Sequence, residues 1–278
     1  MRKIKIVADS SANVYERTAV PFASAALKII TSQREYVDDV NLDVASMVAD
    51  FDSYKGKSKT SCPNPQDWLD AFGDAQEIFC ITITSGLSGS YNAAFAAKQM
   101  YEADHADAKV FVIDSLSAGP ELLLIIEKLE AMIAQDLPFE EICDKIKEYQ
   151  KSLGTDFMLQ SLKNLAANGR VSPAVAKIAT LLGIRIVGRA SDEGTLEPTD
   201  KCRGQAKALS TVVKNMEAWG LKTGKVIIDH CFNLQAAQEL QQLIWEKLPQ
   251  VTVQIGTCGG LCSFYAEKGG LMIGFEKF

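Results

Sequence analysis

The sequence predicts an α/β protein of two domains, and three observations predict it. Short β-branched runs alternate with helical stretches through the first half, the pattern of a parallel sheet wrapped by helices on both faces. Each of the three clearest runs ends in a loop that carries serine. Beyond about residue 153 the order changes to a hairpin and longer helices. The expected architecture is a Rossmann-like parallel sheet over residues 1–153 and a C-terminal α/β sandwich over residues 154–278.

In order along the chain, Lys3–Ala8 reads as a strand that passes into Asp9-Ser10-Ser11. Glu77–Thr84 (EIFCITIT) is a second strand, and Ser85-Gly86-Leu87-Ser88-Gly89-Ser90 leads from it into an alanine-rich helix from about Tyr91 to Ala103. Val110–Ile113 is a third, followed by Asp114–Gly119 and a helix through Leu122–Ala134. Phe139–Leu153 continues as an amphipathic helix, and the domain boundary is placed near Leu153-Gly154. Leu159–Ala167 then reads as a helix closed by Asn168-Gly169, a C-terminal glycine signal. Ser172-Pro173 restarts a helix, with serine as N-cap and proline at the first helical position. Ile184–Arg189 and Thr195–Lys201 form a hairpin around Asp192-Glu193-Gly194. Gly204–Trp219 and Leu234–Leu248 are helices, and Lys225–Asp229, Val251–Gly256 and Gly270–Phe275 are strands.

Composition narrows the function. A chain of 278 residues that is 47% hydrophobic can bury a sizeable core, and its formal charge is 29 − 35 = −6. With a pI near 5.1 and no basic run, it lacks the positive face of a nucleic-acid binder. The first residues pass from charge directly into a strand, so no signal peptide is expected. The uncharged stretch between Lys247 and Glu267 contains Pro249 and several glycines, which argues against a spanning helix. Seven dispersed cysteines without an export signal read as reduced thiols, and a cytoplasmic location is expected.

In open α/β sheets, ligands bind in the crevice outside the carboxyl ends of the strands. The loop Thr84–Ser90 is placed for this. Its glycines allow close backbone approach, the next helix start offers free N–H groups, and Ser85, Ser88 and Ser90 add hydroxyl donors. Such a loop suits a carboxylate or phosphate, yet the same residues serve equally as plain helix caps. Thr60 and Ser61, in the Lys59–Pro65 connector before a helix over Trp68–Phe72, can donate to the same ligand or belong to a structural turn. The rival is a serine hydrolase, with Ser10, Ser11 or Ser88 as nucleophile. It needs a histidine base, and the chain offers only His105, in a polar turn, and His230, after a strand. No phosphate-binding G-x-x-x-x-G-K-[ST] or dinucleotide G-x-G-x-x-G occurs. Cys258 and Cys262, without a second thiol pair, read as buried thiols rather than metal ligands. No metal or cofactor is expected.

Several segments, in order and spacing, resemble the DegV family of bacterial fatty-acid-binding proteins nearly end to end. They are Ile6–Ala12, Thr60-Ser61-Cys62-Pro63, Ile81–Tyr91, Val112–Ser117, Asn168–Ser172 and Lys201–Ala208, of which Leu87-Ser88-Gly89-Ser90-Tyr91 is the most specific. The resemblance implies a carrier rather than a self-sufficient enzyme. It would hold one long-chain fatty acid in a buried tunnel and present it to a separate kinase subunit that makes an acyl phosphate for phospholipid synthesis. A transient contact with a membrane surface for lipid exchange goes with that role. By motif position, Thr60 and Ser61, with Ser85, Ser88, Gly89 and Ser90, hold the carboxylate, and Arg170 and Arg203 lie at the tunnel mouth or face the partner. Where the family commonly carries His-x-Gly-Pro-Gly, a gap-free match back from Gly274-Phe275 puts Tyr265 in the histidine's place, and a gapped one puts Cys258 there. A phenol still donates to a carboxylate but carries no positive charge. A ligand-binding regulator without a kinase partner is the third reading.

Overall fold

The computed structural model describes residues 2–172, 175 and 183–277. β1 (Ile4–Asp9) is buried along its last four residues and pairs in parallel on both sides, as a continuous apolar run in a covered sheet should. The chain then lays down β2 (Phe22–Ala25), β3 (Lys28–Ile30), β4 (Glu35–Val37), α1 (Val44–Ser53), β5 (Lys59–Ser61) and α2 (Pro65–Phe72). β6 (Glu77–Thr82), α3 (Ser90–Asp104), β7 (Lys109–Asp114), α4 (Pro120–Ala134) and α5 (Phe139–Lys151) complete the first half. The three expected strands lie side by side in a parallel sheet of order β2-β1-β6-β7, while β4-β3-β5 forms a small antiparallel sheet.

Two local expectations change here. Lys59–Ser61, read as a connector, pairs with β3 as the strand β5; three residues are too few for alternation to show. The helix expected from Trp68 begins at Pro65, because Asn64 accepts from the N–H groups of Gln66 and Asp67 while Asp67 accepts from Asn64 in return. That capping box and the proline fix the start three residues earlier.

The second half runs β8 (Leu153–Leu159), α6 (Lys163–Ala167), β9 (Ile184–Ala190), β10 (Leu196–Arg203), α7 (Gln205–Ala218), β11 (Lys225–His230), α8 (Leu234–Lys247), β12 (Thr252–Thr257), α9 (Gly260–Ala266) and β13 (Leu271–Glu276). Its strands form a six-stranded mixed sheet of order β10-β9-β8-β13-β11-β12. The β9–β10 hairpin is as expected. The helix expected from Ser172-Pro173 falls mostly outside the described residues, although the Val175 N–H donates to Ser172 Oγ at 3.3 Å.

The main correction is β8. The sequence predicts one helix over Leu159–Ala167, yet Leu153–Leu159 is a strand and only Lys163–Ala167 is helical. All seven residues of β8 are buried. A strand covered on both faces shows no polar alternation, so its sequence lacks the period-2 signal.

One face of this sheet carries α7 and α8, and α4 from the first half packs on the other, against β8, β11 and β13. α4 also touches β6 of the parallel sheet. Leu122 through Ile126 are five consecutive buried residues, the composition of a helix enclosed all round. Gly274 makes the contact close, since a Cβ there would lie 2.6 Å from the Glu121 backbone nitrogen. α4 is therefore the shared layer between the two sheets.

Candidate functional site

A cavity lies between the carboxyl ends of the parallel strands and the facing side of the six-stranded sheet. Its walls are mostly apolar. Alternate residues of β8, Thr155, Phe157 and Leu159, line it from one strand face. Leu261, Cys262 and Tyr265 line it from α9.

Polar groups converge near Tyr265. Thr60 Oγ1 lies 2.8 Å from Tyr265 Oη, joining β5 to α9 across 205 positions. Burial raises the Tyr265 phenol above its ordinary pKa, so it is a neutral donor. Arg170 places its guanidinium carbon 6.0 Å from the Tyr265 ring centroid, and its Nε donates to the Leu87 carbonyl at 3.2 Å. It is the one charged side chain among the described lining residues. Among the described residues it has no carboxylate partner. Ser88 lines the cavity too, and its oxygen accepts from the Ser90 N–H at 3.3 Å, leaving the hydroxyl proton free to donate.

Buried carboxylates hold these elements in place. Asp9, at the end of β1, accepts from Ser11 Oγ at 2.5 Å, the Ile83 N–H at 2.9 Å and Ser90 Oγ at 2.6 Å. It thereby ties the strand end to the 84–90 loop. Asp38 accepts from the Gly260 and Leu261 N–H groups at 2.7 and 2.9 Å, and from Tyr15 Oη at 2.7 Å. A carboxyl group at a helix N-terminus answers its free N–H groups and its dipole. This one orients α9 and so aims Tyr265. Burial pushes both carboxyls up in pKa, against the hydrogen bonds they accept.

The structure thus gathers Thr60, Ser88, Tyr265 and Arg170 on one cavity and leaves the other named residues off its lining. Ser61 is half-buried on β5, and Ser85 and Gly89 are exposed. The Ser90 hydroxyl is committed to Asp9. The start of α3 was expected to offer its N–H groups, but the loop meets the cavity through Thr84, Leu87 and Ser88, one turn earlier. Arg203 ends β10, exposed and away from the cavity, and buried Cys258 does not line it either. Sequence reasoning missed Thr155 and Cys262 as lining residues, while Thr84 opens the loop it named. Ser117, also on the lining, sits in the third serine loop and was within its reach. Neither histidine lines the cavity. His105 Nδ1 lies 3.0 Å from the Tyr101 carbonyl, and His230 Nδ1 accepts from the Asn233 N–H at 3.4 Å. Among the described residues, no three His, Cys, Asp or Glu side chains are grouped to hold a metal ion.

The profile described as "Uncharacterised protein, DegV family" matches residues 3–277. The chain belongs to the DegV family. A DegV domain-containing protein of Streptococcus pneumoniae is 41% identical over 277 residues, covering 98% of each chain. The DegV family protein of Eubacterium eligens, solved loaded with heptadecanoic acid, superposes with a TM-score of 0.97 at 41% identity, over 99% of this chain and 100% of that one. The Streptococcus pneumoniae Fatty Acid Kinase (Fak) B3 protein, solved loaded with linoleic acid, gives 0.97 at 40% identity over all of both chains. The fold class expected from the sequence is the DegV fold, and the position of the cavity follows from it.

Proposed function

We propose that this DegV protein binds a long-chain fatty acid in the cavity, between lobes spanning residues 1–153 and 154–278, and presents its carboxylate to a separate kinase subunit for acyl-phosphate formation. The observation that carries the reading is Arg170, a half-buried cation without a described carboxylate partner, set beside Thr60, Ser88 and Tyr265 at one end of an otherwise apolar cavity. A carboxylate there satisfies the cation and two neutral donors, Ser88 and whichever of Thr60 and Tyr265 accepts in their shared bond, while the tail fills the apolar walls. Each buried methylene contributes about 0.8 kcal/mol, so the tail supplies most of the affinity and the head group fixes orientation.

The Eubacterium eligens and Streptococcus pneumoniae proteins, each solved loaded with a fatty acid, support this reading. The Fatty Acid Kinase name of the second supports the carrier role and a separate kinase partner; a cytoplasmic location and transient lipid exchange at a membrane surface are further parts of the proposal. Among the described residues, no helix is long and apolar enough to cross a membrane. The hydrolase reading lacks a base, since neither histidine reaches the Ser88 hydroxyl.

Native mass spectrometry of the protein purified from a bacterial host tests the binding. Co-purified fatty acid at one per chain is expected. A ligand-free protein that also fails to take up palmitate or oleate would refute it. For the carrier role, the loaded protein should yield acyl phosphate only when an ATP-using fatty acid kinase subunit is added, and no product with such a subunit would count against presentation.

A further inference from the structure

The cavity has a second polar feature, away from the head-group cluster. Thr155 lies about 13 Å along β8 from Leu159 at roughly 3.3 Å per residue, and Leu159 shares an apolar cluster with Leu162, Leu165 and Tyr265. Thr155 thus stands at one end of the β8 lining and Leu159 at the other, and the Ser117 carbonyl beside it accepts from the Thr84 N–H at 2.8 Å. Its hydroxyl donates to Glu121 Oε2 at 2.5 Å and lies 2.6 Å from Ser117 Oγ. All three residues are at least nine-tenths buried. On their far side a separate open groove runs outward past Lys277 and Trp219, and Thr155 and Ala190 line both spaces. Glu121 lines only the groove, and Ser117 only the cavity. The trio is therefore a partition one side chain thick, and its hydrogen bonds are closed on themselves.

A buried polar trio at the apolar end of a lipid cavity needs a reason, because apolar side chains would fill the same space without desolvating a carboxyl group. Glu121 also stands in the first turn of α4, the layer shared by both sheets. Burial pushes its carboxyl up to about 7, which keeps it mostly protonated in acid and lets it take part in the network at little charge cost. A mutually hydrogen-bonded trio holds Thr155 in one rotamer and cannot swing aside as a lone apolar side chain can.

We propose that Thr155, braced by Ser117 and Glu121, is the tail stop of the cavity and sets the longest acyl chain it accepts. The inference rests on the fatty-acid reading and extends it to chain-length selection. Chains that end short of Thr155 gain about fourfold in affinity per added methylene. A chain that must pass it gains nothing, because its next carbon meets a wall.

Competition binding of a series of saturated acids, from dodecanoic to docosanoic, to the wild type, Thr155→Ala, Thr155→Leu and Thr155→Val tests this. For the wild type, affinity should rise with length and then break. Thr155→Ala joins the cavity to the groove and should move the break to longer acids, with the first excluded acid gaining about tenfold. Thr155→Leu projects further into the cavity and should move the break to shorter acids. Thr155→Val conserves volume but loses the brace, so it should soften the break at the same length, with the first excluded acid gaining less than in Thr155→Ala, and lower the melting temperature. If the alanine variant fails to fold, the leucine variant decides alone. A break at the wild-type length in every folded variant overturns the stop. A wild type that binds none of the acids overturns the fatty-acid reading and the stop with it, and so is distinct from the first failure.

Discussion

Replacing Arg170 by Met removes the one charged group of the described cavity lining while keeping most of its aliphatic bulk. A hydrogen bond to a charged group contributes about 1.5–3 kcal/mol, and a carboxylate left unpaired in a desolvated site costs about 2–5 kcal/mol. Arg170 is only half-buried, so solvent screening argues for the lower part of that range. A loss of about 1.5–3 kcal/mol is a ten- to hundred-fold weakening of fatty-acid binding. The corresponding fatty alcohol presents no anion and should lose no more than about threefold. Stability should fall modestly, since the side chain's described hydrogen bonds go to the backbone carbonyls of Leu87 and Asn168, at about 1 kcal/mol each. Calorimetric titration of palmitate and hexadecanol into both proteins gives the comparison. Equal losses for acid and alcohol, or no loss for either, would show that Arg170 does not hold the carboxylate, and the orientation assigned to the ligand would be wrong.

Ser88→Ala should weaken the acid several-fold and spare the alcohol, whereas Ser90→Ala, which strips a donor from buried Asp9, should lower the melting temperature with little change in the acid-to-alcohol ratio; the reverse pattern would reassign the two serines. Thr60→Val and Tyr265→Phe each remove one side of a 2.8 Å hydrogen bond, so their effects on acid affinity should be sub-additive in a double-mutant cycle, and strict additivity would show that the pair does not act together. Burial raises the carboxyls of Asp156 to about 8 and of Asp229 and Glu121 to about 7. Folded pKa values above the unfolded ones give stability that is fully present below about pH 4 and lost as pH rises through 7 to 8. The melting temperature should therefore fall from pH 5 to pH 8.5, less steeply in Asp156→Asn, and a flat or rising profile would contradict these assignments. A serine-reactive fluorophosphonate should leave Ser88 unlabelled, and stoichiometric labelling lost in His230→Ala would revive the hydrolase.

How much of this was legible follows from what each element asks of its residues. β1, β6 and β7 announced themselves because covered parallel strands are β-branched runs, and the Thr84–Ser90 loop because serine and glycine at a strand end have few other uses. In the 22–61 region the strands were not legible, since three or four residues carry no period, and α1 went unread although Asp43 caps its start. β8 was hidden for the opposite reason: burial on both faces erases alternation, and Thr155 and Asp156 then look like a polar interruption. Missing β8 cost the site its most regular wall. Tyr265 was found only through resemblance; no local signal marks it, because its role depends on α9, whose start is set by Asp38 some 222 positions away. Arg170 was expected at the mouth and stands with the head-group cluster, a placement that rests on the Leu87 carbonyl and so on tertiary structure alone.

The division of labour in the cavity explains why its two halves are built so differently. The tail wall is regular, made of alternate residues on one strand face and of helix positions packed on it, and needs only shape and apolarity to supply affinity. The head-group end is assembled from four separate elements: β5 for Thr60, the loop before α3 for Ser88, the chain after α6 for Arg170 and α9 for Tyr265. Each brings one polar group, and each is held by a bond outside the ligand: to Tyr265, to the Ser90 N–H, to the Leu87 carbonyl and, through α9, to Asp38. Such a site is pre-organised. It loses little entropy on binding and aims a carboxylate in one direction. With a phenol that burial keeps neutral at the position matched to the family's common histidine, the positive charge among the described lining residues comes from Arg170 alone. On the proposed reading, one cation and two neutral donors would hold a carboxylate without neutralising it twice over, and a carboxylate that keeps its charge remains a nucleophile for phosphoryl transfer.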